Sequence, residues 1–146
     1  MSYTYEYERA SNSADIAVFR KNDNQTEILL IRRKNEPYQG MWALPGGFME
    51  MNEPLEVTAI RELEEETGLK GISLEQYRTF SQVNRDPRTR VITTVFYGFA
   101  DFGNSHAAGG DDAEEARWFN VEELPALGFD HQDIIHGLLR KSGLNH

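Results

Sequence analysis

Runs of apolar residues divide the chain into strand-sized and helix-sized segments. Residues 16–20 and 27–33 are rich in Ile, Val, Leu and Phe, with Asn22-Asp23-Asn24 between them. Apolar runs of that length around a turn-forming triplet predict a β-hairpin. Residues 42–44 predict a short strand before a turn at Pro45-Gly46-Gly47. Residues 54–67 predict a helix: Pro54 suits its first turn, Asn52 or Glu53 can cap it, and Gly68 suits its exit. Strands are expected over residues 74–83 and 91–102, joined by a loop at 84–90, and again over 116–120. Residues 130–141 predict a second helix, with Asp130 as candidate cap and Ile134, Ile135, Leu138 and Leu139 as its apolar stripe. Arg140 and Lys141 fall in its last turn, where the helix dipole favours cations. Irregular alternation of strands and helices predicts an α/β fold in which helices cover a mixed sheet.

A length of 146 residues fits one domain, taken as residues 1–146. Charge narrows the partners. Fifteen Lys and Arg against 24 Asp and Glu give −9, which repels nucleic-acid phosphates, so no nucleic-acid partner is expected. The chain has no cysteine, which excludes disulfides and thiolate metal sites and suits a cytoplasmic protein. Its first 15 residues are polar and do not form a secretory signal. No apolar run approaches the roughly 20 residues of a membrane helix, so no membrane role is expected. Tyr3, Tyr5 and Tyr7 alternate with polar residues and predict an N-terminal edge strand. Residues 103–112, with Ala107, Ala108, Gly109 and Gly110, read as a loop inside the domain.

Candidate chemistry concentrates on the first helix. At about 100° per residue, Arg61, Glu62, Glu65 and Glu66 fall within an arc of about 140°. Ile60 and Leu63 lie on the far side and read as part of a broad apolar face. Like charges at i,i+3 and i,i+4 destabilise a helix, and anions near its C-terminus oppose the dipole. Taken alone, a glutamate-rich helix is most often a solvated face. Here it follows Leu44-Pro45-Gly46-Gly47, a loop able to bring backbone against a ligand. Clustered carboxylates beside such a loop suit a hard divalent cation, with Mg²⁺ the natural candidate because it pairs carboxylates with substrate phosphates. The matching reaction is metal-assisted displacement at phosphorus.

These residues resemble a known family. Gly47, Glu53 and then Arg61-Glu62-Leu63-Glu64-Glu65-Glu66-Thr67-Gly68-Leu69 fit the Nudix box at every required position. The flanks Trp42-Ala43-Leu44-Pro45-Gly46-Gly47-Phe48 and Ala116-Arg117-Trp118-Phe119 are similar as well. The resemblance implies an α/β/α sandwich that hydrolyses a nucleoside diphosphate linked to another moiety, with Mg²⁺, or Mn²⁺ in its place. It implies that Glu62, Glu65 and Glu66 bind metal, that Gly47 adds its carbonyl, that Arg61 orients the carboxylates, and that Glu53 supports them. Family members take the catalytic base either from the box or from a later loop. Asp111, Asp112, Glu114 and Glu115 lie in such a loop, and Glu115 is favoured.

Arg85, Arg88 and Arg90 crowd one short segment of an acidic chain. They read either as an exposed hairpin tip or as a phosphate and ribose clamp, since guanidinium binds phosphate in bidentate fashion. Arg90 is favoured because it leads into a strand. Arg33, at a strand end before the glycine loop, reads as a phosphate contact or a solvated end. Residues 84–91, Gly110-Asp111-Asp112-Ala113 and Leu127-Gly128-Phe129-Asp130-His131 resemble the ADP-ribose pyrophosphatase branch. That implies ADP-ribose as substrate, AMP and ribose 5-phosphate as products, and a homodimer supported by the N-terminal region. The alternatives are a house-cleaning nucleoside triphosphate pyrophosphohydrolase and a non-catalytic sensor of ADP-ribose-like ligands. The sensor ranks last, because the box is intact and the chain leaves no room for a DNA-binding domain. Trp42 and Trp118 are expected in the core. His106 and His131 are given no role.

Overall fold

The computed structural model describes residues 4–104 and 113–142. Strand β1 (Ser11–Asn22) and strand β2 (Gln25–Arg33) form the expected hairpin, closed by Asp23 and Asn24 with Asn22 opposite Gln25. Asp23 takes the left-handed conformation that a tight hairpin turn requires, at φ 57°. The remaining elements are β3 (Trp42–Ala43), β4 (Gly46–Phe48), α1 (Leu55–Thr67), β5 (Glu75–Phe80), β6 (Val91–Phe99), β7 (Ala113–Asn120) and α2 (His131–Ser142). They build one sheet of order β3-β2-β1-β6-β5, with β4 also paired to β1 and β7 to β2. β1 and β6 run parallel and the other pairs antiparallel, so the sheet is mixed.

The central strand explains the layering. On β1, Ala14, Ile16 and Val18 face one side and pack with Ala59 and Leu63 of α1. Ala17 and Phe19 face the other and pack with Ile134, Ile135, Leu138 and Leu139 of α2. A strand that alternates apolar residues to both faces must be covered on both. The result is an α/β/α sandwich. Among the described residues, no helix is long and apolar enough to cross a membrane.

Several expectations need correction. Residues 46–48 form strand β4 rather than a turn: Asp15 lies opposite Gly46, and a Cβ on Gly46 would collide with the Ala14 carbonyl oxygen and the Asp15 carboxylate. Only glycine allows that approach. Strand β5 ends at Phe80, and β6 ends at Phe99 before a 3₁₀ turn at Phe102–Asn104. The described residues of the N-terminal segment form no strand before Ser11; Tyr7 is exposed, and Arg9 lies over the Tyr5 ring at 3.7 Å. Pro54 occupies the N-cap of α1 without a side-chain cap bond, so neither Asn52 nor Glu53 caps it. Gly68 does close that helix in the left-handed conformation, donating its amide to Glu64. Ile60 is 54% exposed, while Glu62 and Glu66 are buried. The helix therefore turns its acidic edge, and not Ile60, toward the body of the protein.

Candidate active site

The C-terminal half of α1 forms one wall of a cleft of about 460 Å³. That is the scale of a small-molecule site. Arg61 organises this wall. Its Nη1 donates to Glu62 Oε1 at 2.7 Å and to Glu65 Oε2 at 3.3 Å. Its Nε and Nη2 grip both oxygens of Glu53 at 3.1 and 2.6 Å, and Nη2 also reaches the Phe48 carbonyl at 3.1 Å. With Glu50 at 4.0 Å, four carboxylates stand around one guanidinium. That arrangement is how the helix tolerates like charges at close spacing. Hydrogen bonding to Arg61 holds the Glu53 carboxyl down to about 2, with burial opposing and the Glu50 amide and Thr58 hydroxyl assisting. Glu66 Oε1 accepts the Gly46 amide at 2.7 Å. A Cβ on Gly47 would lie 2.5–2.7 Å from the Glu62 carboxylate and would displace that side chain from its place beside Arg61.

The donor set of this wall suits a hard divalent cation: carboxylate oxygens from successive turns of one helix, an adjacent glycine backbone, and more acid than the single Arg61 neutralises. Among the described residues, no three acidic or histidine side chains form a closed ligand set. Glu65 faces Arg61, and Glu62 is shared between Arg61 and the glycine backbone.

The floor and far wall come from distant segments. Asp15 on β1 is buried, and its Oδ2 accepts the Thr93 hydroxyl at 2.7 Å. Burial pushes the Asp15 carboxyl up, but His131, Thr93 and Arg85 together hold it below the ordinary range. His131 begins α2, and its Nδ1 accepts the Leu44 amide at 3.0 Å. Arg85 forms a bidentate pair with Asp130, at 2.9 and 2.7 Å. Arg88 forms another with Asp86, at 3.0 and 2.7 Å, and lies near the Phe48 and Phe129 rings at 5.1 and 5.5 Å. Arg33 donates Nε to the Pro37 carbonyl at 2.6 Å and also sits over Phe129. Burial first, and then the neighbouring Arg88, lower the pKa of Arg33. Two guanidiniums that repel across a cleft wall gain from an anion placed between them. Tyr38 and Phe129, which pack edge to face at 4.7 Å, both hold positive φ at this rim, 61° and 55°. Bulky residues in that region carry backbone strain of about 1–3 kcal/mol each.

Of the residues expected at the site, Gly47, Arg61, Glu62, Glu66, Arg33, Arg85 and Arg88 line this cleft. Glu53 and Glu65 are not among its lining residues but bond to Arg61, which is. Arg90 is exposed and outside the lining; its carbonyl accepts the Ser11 amide at 2.9 Å. Glu115 is also outside it. In the β2–β7 register it lies opposite Arg32, where it pairs with Arg32 at 3.6 Å and with Arg117 at 2.8 Å. Asp111, Asp112, His106 and the Glu114 side chain lie outside the described residues. Trp42 packs edge to face on Phe119 at 4.7 Å, and Trp118 packs beside the α1-side core.

Asp15 left one signal in the sequence, a lone acid inside an apolar strand. Asp86, Phe129, Asp130 and His131 lie in segments that resemble the ADP-ribose pyrophosphatase branch, but none was given a role at the site; the Asp130 and His131 contacts span 45 and 87 residues.

A family model described as the NUDIX domain matches residues 11–138. The chain belongs to the Nudix family. It is 43% identical over 118 residues to an ADP-ribose pyrophosphatase of Methanocaldococcus jannaschii, covering 81% of this chain and 69% of that protein. It is 33% identical to the ADPR responsive transcriptional repressor NtrR of Acinetobacter baylyi, covering 89% of this chain but only 53% of the repressor. Its fold superposes with a TM-score of 0.86 on the NUDIX domain of Shewanella oneidensis NrtR, solved with ADP ribose. That domain is 26% identical, with 92% of this chain and 90% of that chain covered. These likenesses make the chain a Nudix pyrophosphohydrolase.

Proposed function

We propose that the chain hydrolyses ADP-ribose to AMP and ribose 5-phosphate with a divalent cation, Mg²⁺ or in its place Mn²⁺. The observation that carries this reading is the division of one cleft into a carboxylate wall and a guanidinium wall. A diphosphate needs both: cations against its oxygens and a route to an activated water. The 43% identity with the archaeal ADP-ribose pyrophosphatase supports the choice of substrate. When bound, the metal supplies charge neutralisation at the phosphates and acidifies a water.

In this reading Glu62, Glu65, Glu66 and the Gly47 carbonyl hold the ion. Arg61 orients the carboxylates and Glu53 braces Arg61. Arg33 and Arg88 hold the phosphates from the opposite wall, and Arg85, tied to Asp130, sets the loop that presents Arg88. Glu115 pairs with Arg32 and Arg117 outside the cleft lining, and in this reading a box carboxylate accepts the proton.

The test is a panel of ADP-ribose, NADH, diadenosine polyphosphates, nucleotide sugars and nucleoside triphosphates with Mg²⁺, followed by product identification. ADP-ribose is expected to show the highest kcat/KM, with AMP and ribose 5-phosphate in equal amounts. A preference for triphosphates overturns the substrate. The similarity to an ADPR responsive transcriptional repressor and to a NUDIX domain solved with ADP ribose favours one second reading, that of a sensor. Tight ADP-ribose binding with no product in Mg²⁺ or Mn²⁺ would support it.

A further inference from the structure

His131 is 3% exposed, and neither the family model nor the proposed reaction gives it a task. It is nevertheless tied to the glycine loop. By accepting the Leu44 amide at Nδ1, the imidazole must carry its proton on Nε2. Nε2 stands 3.7 Å from Asp15 Oδ2, too long for a hydrogen bond but close enough for attraction. Asp15 is itself fixed by Thr93 and lies opposite Gly46 in the β1–β4 pairing.

The loop is thus held at three successive residues by three elements. Leu44 donates to His131 on α2, Pro45 accepts the Ile16 amide of β1 at 2.8 Å, and Gly46 donates to Glu66 of α1. Proline has no amide hydrogen, so Leu44 and Gly46 supply the loop's N–H anchors at this point. If Leu44 shifts, Gly46 shifts relative to Glu66 and Gly47 shifts relative to Glu62.

We propose that His131, steadied by Asp15, is a positioning residue that sets the glycine loop against the Glu62–Glu66 wall. The inference rests on reading that wall as the hydrolytic, cation-holding site. A purely structural histidine would contribute to stability alone. A positioning histidine also sets kcat and the affinity for the divalent cation, while substrate affinity stays with the opposite wall.

Two substitutions separate the contacts. His131→Asn keeps an acceptor where Nδ1 stands and loses the group facing Asp15. His131→Gln keeps a group toward Asp15 and loses the acceptor for Leu44. We expect His131→Gln to lower kcat for ADP-ribose by about ten- to a hundredfold, the scale of a misplaced catalytic group, with KM nearly unchanged. The Mg²⁺ concentration giving half of the maximal thermal shift should rise several-fold in the same variant. His131→Asn should restore most of both.

Wild-type kcat and Mg²⁺ midpoint in a folded His131→Gln variant would overturn the proposal. Should that variant not fold, Asp15→Asn and His131→Asn carry the test. Each is expected to lower kcat a few-fold, and their double variant no more than either alone, because both break one contact. Wild-type kcat and Mg²⁺ midpoint in both overturn the proposal that Asp15 steadies His131. The parent reading fails separately, if the wild-type chain does not turn over ADP-ribose.

Discussion

The two walls of the cleft are assembled by opposite routes. The α1 wall comes from residues 47–69, one uninterrupted stretch in which helical periodicity does the spacing. The far wall and floor hold Arg85, Asp15 and His131 through contacts spanning 45, 78 and 87 residues, with Arg33 and Arg88 beside them in the same cleft. Their charge arrangements differ too. On α1, four carboxylates share one guanidinium, leaving an excess of acid. On the far side, Arg85 and Arg88 each have their own aspartate. Excess acid draws a cation from solution, whereas paired arginines form a rigid surface that positions an anion. We propose that turnover belongs to the first wall and substrate affinity to the second.

The largest expected effect breaks the first wall. Glu66→Gln keeps an oxygen for the Gly46 amide and removes the charge. Together with Glu65→Gln it tests whether acid, rather than shape, matters. A fall in kcat of about 10²-fold or more is expected in each, as for other groups that stabilise transition-state charge. Steady-state kinetics with saturating ADP-ribose would measure it. Near-normal turnover in both variants, or full activity in a chelator, would erase the difference between the walls.

The second wall should respond in KM. Arg33→Ala and Arg88→Ala each remove a charge-assisted phosphate contact of about 1.5–3 kcal/mol, a ten- to hundredfold loss in kcat/KM. Arg90→Ala should stay within about twofold of wild type, given the exposure of Arg90 outside the cleft lining. Melting curves belong beside the Arg88 kinetics, because that variant leaves the buried Asp86 carboxylate without its partner. If Arg90→Ala alone reproduced the loss, the anion site would lie at the start of β6 instead.

How much of this was legible follows from the same contrast. A helix reports its geometry through local spacing, so Glu62, Glu65, Glu66 and Arg61 could be grouped by arithmetic. The direction that group faces could not. Ile60 seemed a core residue, yet the helix buries Glu62 and Glu66, because the facing β4 backbone is glycine and leaves room for carboxylates. The hairpin and both helices were readable from apolar runs and end signals. Strand β4 was not, since Gly46-Gly47 imitates a turn until β1 is known to lie beside it. Glu115 shows the same limit: position in an acidic loop suggested a base, but strand register placed it opposite Arg32. His131 has no partner at metal-ligand spacing in the sequence, and its partners in the fold are Leu44 and Asp15.

The smallest expected effect concerns acid. Glu53, held near 2 against an ordinary 4.5, stabilises the folded state above about pH 4.5 and loses that contribution as pH falls toward 2. On the other side, burial pushes the Asp86 carboxyl up, but Arg88 and its amide outweigh burial and hold it below its ordinary 3.8. Its contribution therefore begins to fade lower, below about pH 3.8. Melting temperatures of wild type, Glu53→Gln and Asp86→Asn, measured from pH 7 to pH 2, should separate the two. Both variants melt below wild type at pH 7. The Glu53→Gln gap should start to close near pH 4.5, and the Asp86→Asn gap only below about 3.8. Gaps that close at one pH would mean that the two walls titrate as a single network, and the division of labour between them would have to be abandoned.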